Sequence, residues 1–305
     1  MKIINFGSCN IDYVYALDHI VAPGETEASN NLEVYSGGKG LNQSIALAKA
    51  GGNVYHAGCI GEDGDMLIGV LKQNQVNTKF LQRVKGKNGH AIIQVSQEGE
   101  NSIFLYPGSN AMITEEYIDS VLDKFSAGDI LLLQNEINNL KYIVEKAYQK
   151  GLQIIFNPSP YNKIIEEIDL QMISYLILNE VEGKDISKCE NTEKILTYFR
   201  EKYPQLKLML TLGKRGCVYQ DKSIRVFHPI FEAKAVDTTA AGDTFTGYFI
   251  AGIATGTEMG QILKMASCAS AIAVSRPGAA PSIPTKDEVL IMMETMKIRD
   301  NVTSL

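Results

Sequence analysis

The stretch Val236-Asp237-Thr238-Thr239-Ala240-Ala241-Gly242-Asp243-Thr244-Phe245 sets an aspartate among small residues just ahead of an apolar helical repeat. Phe245, Phe249 and Ile253 recur at helical spacing, so Ala241-Gly242-Asp243 falls at or just inside a helix N-terminus. Unpaired N–H groups and the positive end of the helix dipole meet there, and small side chains let a phosphate reach the backbone. Asp243 adds negative charge beside such an anion, which hinders binding but suits a base that takes a proton from an attacking hydroxyl. A plain N-cap is the alternative, and it is the commoner use of one acidic residue in that place.

Ser36-Gly37-Gly38-Lys39-Gly40-Leu41-Asn42-Gln43 leads into Leu41, Ile45 and Ala48 on one helical face. Its spacing excludes a Walker A loop, and Gln43 stands where a dinucleotide fingerprint needs its third glycine, which argues against a dehydrogenase. Three glycines around Lys39 still make a loop able to close on a ligand, with Lys39 and Asn42 as donors. A strand-to-helix turn is the bland reading. Asn10-Ile11-Asp12 follows the first strand, where an asparagine and an aspartate either bind vicinal hydroxyls or make an Asx turn. Glu136, the pair Asn179 and Glu182, and the turn Thr211-Leu212-Gly213-Lys214-Arg215-Gly216 also follow strand-like runs. In an open α/β sheet those ends line one crevice, so together they favour a site for a nucleotide and a hydroxylated ligand.

The elements that must position these residues alternate short apolar runs with helix-period segments, the pattern of a parallel sheet wrapped by helices. Ile130 to Leu133 is a buried strand, followed by Leu140, Ile143, Val144, Ala147 and Tyr148 on one helical face. Gly151 closes that helix, and Ile154-Ile155-Phe156, Tyr175 to Leu178 and Leu208 to Leu212 continue the strands. Two stretches break the rhythm. His90 to Ser96 and Ser102 to Tyr106 read as an antiparallel hairpin, and 11–35 holds extended runs around Val14 and Leu32, so these predict a small inserted sheet.

The 305 residues allow two domains or one large α/β unit with an appendage. With 45% hydrophobic and 21% charged residues, disorder, collagen-like repeats and a disulfide scaffold are excluded. The net charge of −6 argues against nucleic acid or anionic lipid as partner, and no run is apolar enough to span a membrane. Cys9, Cys59, Cys189, Cys217 and Cys268 show no C-x-x-C spacing, and His19, His56, His90 and His228 never fall at i, i+4, so no metal cluster is predicted. The N-terminus is too short in apolar residues for a signal peptide, which points to the cytoplasm.

The motifs Gly7-Ser8-Cys9-Asn10-Ile11-Asp12, Gly37-Gly38-Lys39-Gly40 with Asn42, Asn179-Glu180-Val181-Glu182, Thr211 to Gly216 and Asp237 to Phe245 follow one another in the order of a known family. The chain resembles the ribokinase-like (PfkB) carbohydrate kinases over nearly its whole length. The resemblance implies a doubly wound, mostly parallel α/β domain from 1–12, 37–87 and 108–305, and a small β-sheet lid from 13–36 and 88–107. It assigns sugar contacts to Asn10, Asp12, Gly38, Lys39, Gly40, Asn42, Glu136 and Asp243. ATP contacts fall on Asn179, Glu182, Thr211, Leu212, Gly213, Lys214, Arg215, Gly216, Gly242 and Ser267. A monovalent-cation loop, usually for potassium, falls on Asp237, Thr239, Ala273, Arg276, Gly278 and Ser282, largely through backbone oxygens. Ala241 stands where many members carry glycine, and Ser267 where histidine or asparagine is common near adenine.

The activity so implied is transfer of the γ-phosphoryl of MgATP to the 5-hydroxyl of D-ribose. Asp243 is the expected base and the N–H groups of Ala240, Ala241, Gly242 and Asp243 the anion hole, with Glu182 beside the hydrated magnesium. Asn10, implied to meet the 2-hydroxyl, favours ribose over 2-deoxyribose. A homodimer joined through the lid is implied as well. The rival readings are a kinase of the same fold for another sugar or a nucleoside, and a sugar-binding sensor without catalysis.

Overall fold

The computed structural model describes residues 1–299; 300–305, the end of the expected large domain, lie outside them. The chain opens with β1 (Ile3–Phe6), β2 (Asn10–Ala16), β3 (Asn31–Gly37), α1 (Lys39–Lys49), β4 (Val54–Ile60), α2 (Asp65–Gln73) and β5 (Asn77–Arg83). A hairpin of β6 (Gly89–Val95) and β7 (Asn101–Tyr106) follows, then α3 (Glu115–Leu122), β8 (Ile130–Gln134), α4 (Leu140–Gln149), β9 (Gln153–Asn157) and β10 (Tyr175–Asn179). Next come α5 (Glu180–Ser187), α6 (Thr192–Lys202), β11 (Lys207–Thr211), β12 (Cys217–Gln220) and β13 (Arg225–His228). Helices α7 (Ala241–Ala254), α8 (Met259–Val274) and α9 (Lys286–Thr295) complete it.

Nine strands form one sheet in the order β13-β12-β11-β10-β9-β8-β1-β4-β5. From β11 to β5 every neighbour is parallel; β12 and β13 add an antiparallel edge. Starting at β1, the chain builds outward through β4 and β5, then returns to add β8 to β11 on the other side. The order therefore reverses between β1 and β8, and a doubly wound sheet opens its ligand crevice at the carboxyl ends there. Strand side chains alternate between two cores: Ile130 and Leu132 pack with α1, α7 and α8, while Leu131 and Leu133 pack with α3, α4 and α6. That double burial is why these strands read as unbroken apolar runs. Tyr148 departs from the expected face of α4 and is 54% exposed, because it lies about 100° around the helix from its buried neighbour Ala147.

Four strands form the small sheet, ordered β3-β2-β6-β7. Strand β2 runs antiparallel to β3 and parallel to β6, with Asn10 opposite both Gly37 and Gly89. Asn10, Asp12 and Gly37 therefore ride on the small sheet, not on the large unit where the expected boundaries put them. The cause is local: β1 stops at Phe6, and Gly7-Ser8-Cys9 is all the chain uses to cross between sheets.

Helices α1 and α7 meet at glycines. A Cβ on Gly247 would lie 2.3 Å from Ala46 Cβ and 2.7 Å from Leu47 N, and one on Gly40 would lie 2.4 Å from Ser8 N. The first turns of α1 are thus pressed between α7 and the crossing out of β1. Gly247→Ala should destabilise the protein by about 1–3 kcal/mol in urea unfolding, the cost of overpacking. Adding Ala46→Gly should recover only part of that, because the Leu47 backbone still blocks the methyl.

Candidate active site

Asp243 is the third residue of α7, yet it does not cap that helix. Its carboxylate, 5% exposed, accepts from Asn42 Nδ2 at 3.2 Å and from Gln43 Nε2 at 2.9 Å, both on α1. The N-cap alternative fails on those contacts. Asn42 Oδ1 is buried and has no partner among the described residues, so an acceptor waits beside the carboxylate for a donor such as a hydroxyl. The Asp243 carboxylate beside Lys39 holds that ammonium above its ordinary range, against burial, and Glu136 and Glu182 add to the effect. Four expected residues therefore share one electrostatic neighbourhood.

Glu136, at the end of β8, accepts the Lys39 backbone N–H at 2.9 Å and the Ser8 hydroxyl on the same oxygen. Burial pushes its pKa upward despite those donors and Lys39. Burial first, then Glu136, raises Asp12 to about 7. The Asp12 carboxylate lies over Gly37, where any Cβ would sit 1.9 Å from Asp12 Oδ2. Asn10 is held by Asn110, whose Nδ2 donates to Asn10 Oδ1 at 2.7 Å and whose Oδ1 accepts from Cys9 N at 3.0 Å. Gly89 leaves room for that amide, since its Cβ would fall 2.0 Å from Asn110 Nδ2.

At the start of α7 the N–H of Ala241 donates to Thr238 O at 3.2 Å, so the expected anion hole loses that donor. The N–H groups of Ala240, Gly242 and Asp243 have no acceptor among the described residues, and a Cβ on Gly242 would meet nothing within 4 Å. Open ground before three donors at a helix N-terminus fits a phosphate.

The remaining expected residues divide. Asn179 and Glu182 form the capping box of α5, with Asn179 N donating to Glu182 Oε2 at 3.0 Å and Glu182 N to Asn179 Oδ1 at 2.9 Å. Glu182 Oε1 stays unengaged among the described residues, which fits the water shell of a divalent cation. In the 211–216 turn, Leu212 is a core side chain at 2% exposure, so only its backbone can serve a ligand. Lys214 and Arg215 are both exposed, Arg215 donating to Glu180 and to Thr192 Oγ1, and the backbone of Gly213 is open. Ser267 Oγ lies 3.6 Å from Cys217 Sγ. Asp237 ties two segments together, Oδ1 accepting from Thr239 N at 2.9 Å and Oδ2 from Gly278 N at 2.9 Å. Burial opposes its charge, but those donors win and hold its pKa below the usual range. Arg276 pairs with Glu288, and Ser282 Oγ donates to Ala279 O.

A model of pfkB family carbohydrate kinases matches residues 1–286. The chain belongs to the PfkB family. It is accordingly an ATP-dependent carbohydrate kinase. It is 31% identical to the ribokinase of Haemophilus influenzae over 298 residues, covering 94% of this chain and 97% of that one. The ribokinase of Thermotoga maritima superposes with a TM-score of 0.88 at 35% identity, over 97% of this chain and 100% of its own. An Arabidopsis thaliana ribokinase complexed with ribose and ATP gives 0.86 at 27% identity, over 96% and 98%. Among the described residues no helix is long and apolar enough to cross a membrane.

Three residues of this PfkB kinase's site carry no sequence signal of their own. Gln43 was visible only as a missing glycine, Asn110 lies in an ordinary Pro-Gly-Ser-Asn turn, and Ser8 is one small residue in a loop. The two glycines facing Asp12 and Asn110 are the nearest thing to a signal, because glycine in a strand marks a close approach. The titration of Asp12 gives a test. Below about 7 its carboxyl is protonated and loses acceptor capacity, so KM for the sugar should rise about tenfold per pH unit as pH falls. In Asp12→Asn that slope should vanish.

Proposed function

We propose that this kinase transfers the γ-phosphoryl of ATP to the 5-hydroxyl of D-ribose. The observation that carries the reading is the buried Asp243 carboxylate, held by α1 within the first turn of α7 and beside the unpartnered Asn42 Oδ1. A sugar hydroxyl fits between them: Asn42 Oδ1 accepts one hydroxyl, and Asp243 takes the proton of the hydroxyl that attacks. The free N–H groups of Ala240, Gly242 and Asp243 meet the charge that gathers on the phosphoryl oxygens. Lys39 offsets that charge, while its neighbour Glu136 holds the Lys39 N–H and keeps the Gly38-Lys39-Gly40 loop in place. Asn10 and Asp12, carried on the small sheet, bind the ring hydroxyls, which makes that sheet the lid over the sugar. A magnesium ion would supply charge neutralisation to the phosphates, and Glu182, through its free oxygen, would hold its water shell. The 237–239 and 273–282 segments are the loop for a monovalent cation, behind the anion hole.

The relatives support ribose as acceptor, since the similar proteins named above are ribokinases, one of them complexed with ribose and ATP. A panel of ribose, 2-deoxyribose, fructose 6-phosphate and adenosine with ATP should give the highest kcat/KM for ribose. Asp243→Asn should lower kcat by about 10²–10⁴ with ATP binding retained, and unchanged turnover would remove Asp243 as the base. Run in potassium and in sodium salts of one ionic strength, the same assay should be faster in potassium.

The small sheet supports a homodimer. On one face of that sheet Leu32 and Val34 of β3 and Phe104 and Tyr106 of β7 are exposed, the last two at 58% and 50%, a patch that a second copy of the sheet would cover. Equilibrium sedimentation should give twice the 33.5 kDa chain mass, and Phe104→Lys should return the monomer.

A further inference from the structure

Behind Asp243 lies a chain of polar side chains that the reaction as described does not use. Gln43 Nε2 donates to Asp243 Oδ1 at 2.9 Å and to Asn157 Oδ1 at 3.0 Å. Gln43 Oε1 accepts from Gln134 Nε2 at 2.8 Å, and the same Nε2 donates to Asn5 Oδ1 at 3.0 Å. Asn5 Nδ2 donates in turn to Gly40 O and Ser44 Oγ, both at 2.8 Å, and Ser44 Oγ lies 2.8 Å from His56 Nδ1. Gln43, Gln134, Asn5, Ser44 and His56 are all 0% exposed.

Burying so many neutral polar groups between two apolar cores costs free energy, the more so because Gln134 Oε1 is buried with no partner among the described residues, and apolar residues of the same size would pack there with less constraint. The network does one thing that apolar packing cannot. It has a direction. Gln134 faces acceptors with its amide nitrogen on both sides, so the Gln43 carbonyl has to face Gln134 and the Gln43 nitrogen has to face Asp243. A flipped Gln43 would set its carbonyl against a carboxylate. Its donor is neutral, so it orients Asp243 through one hydrogen bond without adding a charge to the site.

We propose that Gln43 is a positioning residue for phosphoryl transfer: oriented by Gln134 at the end of β8, it fixes one oxygen of Asp243 and so sets how the carboxylate meets the attacking hydroxyl. The proposal rests on Asp243 being the base. The groups that face Asp243 are Asn42 and Gln43, with the charged Lys39 and Glu136 close by.

The test measures kcat and KM against pH for the whole enzyme, wild type and three variants, each checked for folding by circular dichroism and thermal melting. Gln134→Met, which contacts neither Asp243 nor any residue assigned to substrate, should lower kcat about 10–100-fold at unchanged KM for ATP, the cost of a misaimed catalytic group. Gln43→Glu puts a second carboxyl against Asp243, and the shared proton should move the acid limb of the kcat profile up by one pH unit or more. Lost packing alone moves no such limb. If one glutamine variant fails to fold, the other decides. Wild-type kcat in Gln134→Met, or a wild-type acid limb in Gln43→Glu, overturns the positioning role if Asp243→Asn is inactive. Full turnover by Asp243→Asn instead removes the base itself, and the two failures are thereby told apart.

Discussion

The close crossing of α1 and α7 is the contact on which the site depends. Asn42 and Gln43 reach Asp243 across more than half the chain, and they do so only because Gly247 lets one helix backbone lie against the other. Move the helices apart by the width of a methyl group and the carboxylate loses both donors. It would then be a buried carboxylate without its two amide donors, a costly group to leave in a protein interior. The same crossing presses Gly40 onto the turn out of β1, so the lysine loop, the polar network and the first turn of α7 are set by one packing event.

Electrostatics explain how a chain of net charge −6 can serve a polyanionic substrate. Acidic groups crowd the crevice, with Glu136, Glu182 and Asp243 in reach of the ammonium of Lys39 and Asp12 beside Glu136. In the proposed reading phosphate is met mostly by backbone, at a helix N-terminus whose donors carry no net charge and whose glycine leaves the approach open. In that reading Asp12, Glu136 and Asp243 lie on the sugar side, where hydroxyl donors need acceptors, and Glu182 on the side of ATP.

Much of the fold was legible in the sequence. The strand runs from Ile130 to Leu212, the helix after Gly242 and the inserted hairpin all follow from periodicity and turn residues, which act over a few residues. Boundaries were less so: the first small-sheet strand begins at Asn10, because nothing in the local sequence says that β1 ends at Phe6. Arg215 shows the limit at the site. Its place in a glycine-flanked turn suggests a phosphate contact, and only the folded chain brings Glu180 and Thr192 within reach of its guanidinium.

The sequence by itself determined the order of elements, the run of small residues at a helix start, and the family to which those motifs belong. Tertiary structure alone decided that Asp243 is held by α1 and does not cap its own helix, that Ala241 turns its N–H to Thr238, and that Gln43, Gln134 and Asn110 stand behind the residues the motifs name. The reason is range. Propensity and periodicity are properties of neighbouring residues, whereas a hydrogen bond between positions 43 and 243 exists only once two helices and a sheet have packed.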